Sequence, residues 1–309
     1  MGTYLVTQAT GQQSRAVIKH LLASGAKVHA VVRDLTKELP ADLKHNNIKL
    51  FQGESKTFDD IYVAAQGCKG VFLNTYPIPG LESLQAKTIV EACKKAGVES
   101  VVGSSTIMTN NKSHWDNDEI KAIQLHGYWA SKYELEGIVR SSGFSKGYTI
   151  VRPGVIHFGL FLPGSLGNFP RLSTHAEIDD LLQPDRSLSW TDCDDIGRYA
   201  AAALLDPVKY SGQELDLVNA VFGYEELCAI VRRVSGREVH SVKRTWEELG
   251  EIGAQVWGQR FQLMANLKDW SYVVENAKAV EEKFGLKFTS FEDALIRDKA
   301  QLLAGLPKS

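Results

Sequence analysis

Short, predominantly apolar runs recur along the first half of the chain: Tyr4 to Thr7, Val28 to Val32, Ile48 to Phe51, Val71 to Leu73, Val98 to Gly103 and Tyr148 to Val151. Segments of helical spacing fill the intervals, around Ala16 to Leu22, Leu35 to Leu43, Phe58 to Ala65, Leu81 to Ala96 and Asp118 to Ser142. In the fourth of these, Leu84, Ile89, Val90, Cys93 and Ala96 fall on one helical face. A strand with one wet face alternates apolar and polar residues. These runs are continuous instead, so both faces of each strand are expected to lie against helices. Right-handed crossovers then lead to an α/β fold with a doubly wound parallel sheet, its ligand crevice open at the carboxyl ends of the strands.

The pattern changes after Arg152-Pro153-Gly154. Residues 155–190 are rich in Gly, Pro, Phe and Ser and lack clear periodicity, Ile196 to Leu205 is helical, and Leu215 to Val218 reads as another strand. From Tyr224 onward the chain is mostly helical. The expected organisation is a core over 1–152 and a mixed region over 153–309, in which segments near 190–220 complete the sheet and a mostly helical portion covers the substrate.

Composition removes several classes of function. A formal net charge of -2, with basic residues scattered, offers no footing for nucleic acid or an anionic membrane. No apolar run approaches the roughly 18 residues a membrane span needs. Met1 to Ala9 enters a strand directly, without the segments of a secretory signal. Cys68, Cys93, Cys193 and Cys228 share no metal-type spacing, and are read as buried free thiols of a cytoplasmic protein. Asp192, Asp194 and Asp195 are read as charges at a helix start rather than a metal site, and no metal is expected.

The turn after the first strand reads Thr7-Gln8-Ala9-Thr10-Gly11-Gln12-Gln13-Ser14. A Rossmann-type turn places glycines where the backbone bends sharply, approaches pyrophosphate and lets helix pack on strand. Only Gly11 remains here, with Gln8 and Ser14 where two further glycines are expected, so the pyrophosphate site is expected to be narrowed and its binding weakened. Thr7, Ala9, Thr10, Gly11, Gln12 and Gln13 are the expected cofactor-binding residues of this turn, and 1–152 becomes a dinucleotide-binding core. The second strand ends at Val32-Arg33-Asp34. An acidic residue at that tip suits ribose hydroxyls, whereas the guanidinium of Arg33 suits a 2′-phosphate, which points to NADP(H). Asp34 is expected to cap the next helix. Asn74-Thr75-Tyr76-Pro77, beyond the fourth strand, is expected to pass the cofactor, with Asn74 and Thr75 in contact with it.

Tyr128 and Lys132 stand four apart within His126-Gly127-Tyr128-Trp129-Ala130-Ser131-Lys132. On a helix that spacing puts them on one face, about 6 Å apart. An ammonium beside a phenol stabilises phenolate, so Lys132 is expected to lower the Tyr128 pKa and to bond the nicotinamide ribose, while Tyr128 exchanges a proton with a substrate oxygen.

The run from Ala9 to Gln13, with Val31-Val32-Arg33 after it, resembles the NmrA-like branch of the short-chain dehydrogenase/reductase superfamily. Val151-Arg152-Pro153-Gly154, Asp195-Ile196-Gly197-Arg198, Asp206-Pro207 and Tyr210-Ser211-Gly212-Gln213 carry the likeness through nearly the whole chain. The resemblance implies a Rossmann-type sheet with a dinucleotide in its crevice, in a family of reductases, isomerases and nucleotide-sensing regulators. It also implies a hydroxyl just after the fifth strand, in Gly103-Ser104-Ser105-Thr106. Comparison with the extended enzymes selects Ser105 to hold the substrate oxygen, with Ser104 as the alternative.

The expected function is an NADP(H)-dependent oxidoreductase acting on a carbonyl or conjugated small molecule. Tyr76, His157 and Phe158 join Ser104 as substrate-lining candidates, and the aromatic weight of the irregular region suggests an apolar or aromatic substrate. Two alternatives stand beside it: a non-catalytic NADP(H) sensor that binds a protein partner, and a non-redox isomerase, dehydratase or cyclase. Oligomeric state is not written in the sequence.

Overall fold

The computed structural model describes residues 2–308; Met1, the first residue of the expected opening run, lies outside them. From the amino terminus come β1 (Thr3–Val6), α1 (Gln12–Ala23), β2 (Lys27–Val32), β3 (Ile48–Gln52), α2 (Phe58–Ala65), β4 (Gly70–Leu73), α3 (Leu81–Lys95) and β5 (Ser100–Ser104). They are followed by α4 (Lys112–Trp115), α5 (Asp118–Ala122), α6 (His126–Arg140), β6 (Tyr148–Pro153), β7 (Val155–Ile156), α7 (Leu172–His175) and β8 (Glu177–Asp180). Next are β9 (Leu188–Thr191), α8 (Cys193–Leu205), β10 (Gln213–Leu217), β11 (Ala220–Phe222), α9 (Tyr224–Ser235) and β12 (His240–Lys243). The chain closes with α10 (Trp246–Glu251), α11 (Arg260–Leu267), α12 (Tyr272–Phe284), α13 (Phe291–Arg297) and α14 (Lys299–Ala304).

Seven strands form one parallel sheet in the order β10-β6-β5-β4-β1-β2-β3. This is the doubly wound Rossmann-type arrangement, and strand order reverses between β1 and β4, where a crevice opens. The continuous apolar runs are explained by cover on both faces. On one, Ile61 of α2, Ile89 and Cys93 of α3, and Leu135 and Val139 of α6 pack on Leu5, Val71, Leu73, Val101 and Ile150. On the other lie α1 and α8, which cross closely because Gly197 has no side chain: a Cβ there would overlap the backbone of Ala16.

The chain divides into two units. The first comprises Met1–Asn110, Gly127–Pro153 and Cys193–Leu217, so α8 and β10 belong with the sheet although they lie far along the chain. The second comprises Asn111–His126, Gly154–Asp192 and Val218–Ser309. It contains a three-stranded sheet, β11-β9-β7, a parallel pair, β12-β8, and helices α9 to α14. Trp190, Phe222 and Phe291 pack ring against ring in its interior, with centroids 5.1–5.6 Å apart.

Two expected helices differ. From Leu35 to Leu43 there is only a single tight turn at Ala41–Leu43. Asp34 caps no helix: its carboxylate accepts the Thr36 N–H at 2.9 Å and the Thr36 hydroxyl at 2.6 Å, a local turn that competes with helix. Pro40 then interrupts the rest of that stretch. The long helix expected from Asp118 to Ser142 is two helices, α5 and α6. Gln124 takes a left-handed conformation (φ 58°), and buried Leu125 donates its N–H back to Ile120, which ends α5. The four cysteines are free and buried, as read from the sequence, and burial pushes the Cys68 thiol up to about 12. Among the described residues no helix is long and apolar enough to cross a membrane.

Candidate functional site

The first unit carries a cleft of about 180 Å³ at the carboxyl ends of its strands, lined among others by Gln8, Thr10, Arg33, Lys56, Tyr76 and Gln85. Thr10 and Arg33 are exposed. The Arg33 guanidinium lies over the Tyr76 ring, 5.5 Å from its centroid. Among the described residues no carboxylate stands within ion-pair distance of Arg33, whereas Lys56, in the same cleft, is paired with Glu54 at 2.9 Å. The Tyr76 N–H donates to the Gln85 side chain at 3.0 Å, which fixes the β4 tip against α3.

The turn between β1 and α1 shows how a loop poor in glycine is built. Gln8 adopts a left-handed conformation (φ 52°), so the position keeps the backbone demand that glycine ordinarily meets. Its carbonyl accepts the Gly11 N–H at 2.8 Å, and a Cβ on Gly11 would sit 3.1 Å from that oxygen. Gly11 precedes α1 without a side-chain cap, and the first turn carries no acid, so the N–H groups at Gln12 and Gln13 remain open to an anion.

Ser14 does not narrow the cleft, contrary to the expectation for that position. It is fully buried, donates to the Thr7 carbonyl at 2.8 Å and accepts from the Asn74 amide at 3.1 Å. Thr7 in turn accepts the Asn74 N–H at 2.9 Å. Thr7, Ser14 and Asn74 thus tie β1, α1 and β4 together at the switch point. Ala9 is buried and continues the sheet through its N–H to Val31. Gln13 reaches across to β5, where the Ser104 hydroxyl donates to its side-chain oxygen at 2.6 Å.

Helix α6 carries Tyr128 and Lys132, neither of which is among the residues lining that cleft, and their surroundings differ from expectation. Lys132 is buried and donates to Glu82 of α3 at 2.8 Å. Glu82 is fully buried, and also accepts from Thr75 at 2.8 Å and from Ser131. Tyr128 is half-buried and hydrogen-bonds the Thr106 side chain. Burial pushes the phenol above its ordinary value; Lys132 and Thr106 pull it down, Glu82 pushes it up, and the net direction is upward. Lys132 does pull the phenol down, as expected, but burial outweighs it, and the ammonium is itself paired with a carboxylate.

Ser105 also faces elsewhere. Its hydroxyl donates to Glu136 at 2.6 Å, inside a buried ionic cluster. Arg152 of β6 forks onto Glu136 at 2.7 and 2.8 Å and also reaches Glu214 of β10, while Arg140 bonds both carboxylates. This cluster fixes α6 on the sheet, together with the Trp129 N–H on the Ile107 carbonyl at 3.2 Å. The residue beside the phenol is Thr106.

In the second unit, His157 is fully buried, so it is not a substrate-lining surface. Its ring lies 2.9 Å from Asp298 and 3.5 Å from Asp192. Phe158 packs on His157 and Phe161 at 4.7 and 5.3 Å. His157, Asp192 and Asp298 bring ligand-type atoms within 4.8 Å of one another, but Arg297 donates to both carboxylates and already supplies the positive charge a metal would bring.

Sequence reasoning missed Glu82, Thr106 and the Glu136–Arg152–Glu214 cluster. The i, i+4 row that begins at Tyr128 and Lys132 continues to Glu136 and Arg140, and this signal was available. Glu82 had none, since an acid in the first turn of a helix ordinarily answers the helix dipole.

The sequence profile of the NmrA-like family matches residues 2–294. The nitrogen metabolite repression protein nmrA of Emericella nidulans is 27% identical over 255 residues, 78% of this chain and 68% of that protein. The NmrA-like family domain-containing oxidoreductase FrzB of a Cladobotryum species is 26% identical over 269 residues, 78% of this chain and 76% of its own length. Among solved structures, the triphenylmethane reductase of a Citrobacter species, complexed with NADP(H), superposes with a TM-score of 0.70 at 18% identity, covering 96% of this chain and 99% of that one.

Proposed function

This chain belongs to the NmrA-like family, and from that premise we propose that it is an NADP(H)-dependent oxidoreductase acting on a carbonyl or conjugated carbon of a small, apolar or aromatic molecule. The observation that carries the reading is Arg33: an exposed guanidinium at the tip of β2, in one cleft with Gln8 and Thr10, in no ion pair among the described residues, while Glu54 of the same cleft is paired with Lys56. The residues fit the cofactor. The uncapped start of α1 and the bare backbone at Gly11 suit a pyrophosphate, and Arg33 suits the 2′-phosphate. The oxidoreductase relative and the NADP(H)-bound reductase support the same reading.

NADPH, when bound, supplies the hydride. Tyr128 then donates its proton to the substrate oxygen, and its raised pKa keeps the phenol protonated at neutral pH. Because the Ser105 hydroxyl is committed to Glu136, the second hydroxyl at that oxygen is assigned to Thr106. Lys132 acts on the phenol through its charge. Tyr128→Phe is expected to keep NADPH affinity and lower kcat by about 100-fold or more, measured as NADPH oxidation with a panel of quinones and aryl carbonyls. Unchanged turnover rejects the assignment.

One observation favours a second reading, a nucleotide-responsive regulator like the repression protein: Lys132 is already neutralised by Glu82. No turnover with any substrate, together with intact NADPH binding, selects it.

A further inference from the structure

We infer that Glu82 is a positioning residue which, by holding the Lys132 ammonium in a buried ion pair, limits how far that charge stabilises the Tyr128 phenolate. The inference rests on the oxidoreductase reading for its consequence, but its geometry stands alone. Glu82 lies in the first turn of α3, where a solvated acid answering the helix dipole is the ordinary arrangement. Here the side chain is fully buried instead, and both oxygens are used: one accepts from Lys132 and Thr75, the other from Ser131. A buried carboxylate held by an ammonium and two hydroxyls is fixed in place.

The charged and polar groups facing the phenol are then Lys132 from its own helix, Glu82 from α3 and Thr106 from the segment after β5. An ammonium with no counter-charge stabilises phenolate through the low-dielectric interior, and the carboxylate beside it offsets part of that field. Burial of the phenol is the larger reason its proton is held; removing Glu82 leaves the Lys132 charge acting on it unopposed. Thr75 precedes Tyr76, whose ring lies under Arg33, and Gln85, one turn beyond Glu82, holds the Tyr76 N–H. One face of α3 therefore braces both the nucleotide cleft and the phenol.

The test is carbon NMR of protein labelled at the ζ position of tyrosine, with the Tyr128 resonance assigned by its loss in Tyr128→Phe. In the wild type its midpoint is expected to lie above that of an ordinary exposed tyrosine. In Glu82→Gln its midpoint is expected to move down by roughly one pH unit or more, and adding Lys132→Met is expected to abolish the downward move. Glu82→Asp, which keeps the charge but withdraws it by one methylene, serves if the glutamine variant does not fold, with a smaller shift in the same direction. A Tyr128 titration unchanged by Glu82→Gln, or by Glu82→Asp where only that variant folds, overturns the inference. Where turnover is measurable, the alkaline limb of the kcat profile must follow the phenol. The NMR readout needs no substrate: a shifted phenol without turnover leaves the inference standing and removes the oxidoreductase reading, whereas turnover with an unshifted phenol does the reverse.

Discussion

Arg33 and Lys132 both stand at the carboxyl end of the parallel sheet, in opposite environments. Arg33 is exposed, faces an aromatic ring, and is in no ion pair among the described residues. The Lys132 side chain is 7% exposed and sits 2.8 Å from a carboxylate that is itself 0% exposed. An exposed guanidinium can exchange its water for an incoming phosphate at little cost. A buried ammonium must be neutralised where it lies, because breaking such a pair leaves a charge without solvent. Residue type and helical spacing locate a cation; its partner decides whether it receives a ligand or sets the field of its neighbours.

The largest expected effect falls on the buried side. Arg152→Met removes the fork on buried Glu136 and leaves that carboxylate to Arg140 and Ser105 alone, so unfolding stability is expected to drop by about 2–3 kcal/mol in urea titration. A loss below about 1 kcal/mol would mean the cluster is hydrated, and the contrast between the two sides would fail. On the open side the effects are smaller. Gln8→Gly relieves a left-handed non-glycine residue and is expected to stabilise the fold by about 1 kcal/mol, with a gain in NADPH affinity if the side chain crowds the cleft it lines. Destabilisation in the same urea assay would show that the Gln8 side chain contributes contacts that outweigh its strain. The smallest change is expected from Tyr76→Ala, which removes the ring beneath Arg33. NADPH affinity should fall about two- to fivefold by calorimetry, and an unaltered value would show that the guanidinium needs no platform.

The sheet was legible because burial on both faces writes itself as unbroken apolar runs, and Val71-Phe72-Leu73, fully buried, shows the case. Arg33 was legible as a cleft residue because the end of the second strand is where the sheet's crevice opens. The break at Gln124 was hidden, since nothing local marks a glutamine for the left-handed region. Orientation was hidden as well. Ser104, Ser105 and Thr106 are three consecutive hydroxyls, and only tertiary contacts send them to Gln13, Glu136 and Tyr128 respectively. The partner of Lys132 lies 50 residues away on another helix, beyond the reach of any i, i+4 rule.

The central claim, that an open guanidinium selects the nucleotide, is tested most directly by calorimetric titration of wild type and Arg33→Ala with NADPH and with NADH. The expected result is that the wild type binds NADPH at least about tenfold more tightly than NADH, and that the variant loses this difference by weakening toward NADPH alone, as removal of a charge-assisted contact requires. Equal affinity of the wild type for the two nucleotides, or a preference that survives in Arg33→Ala, would contradict it.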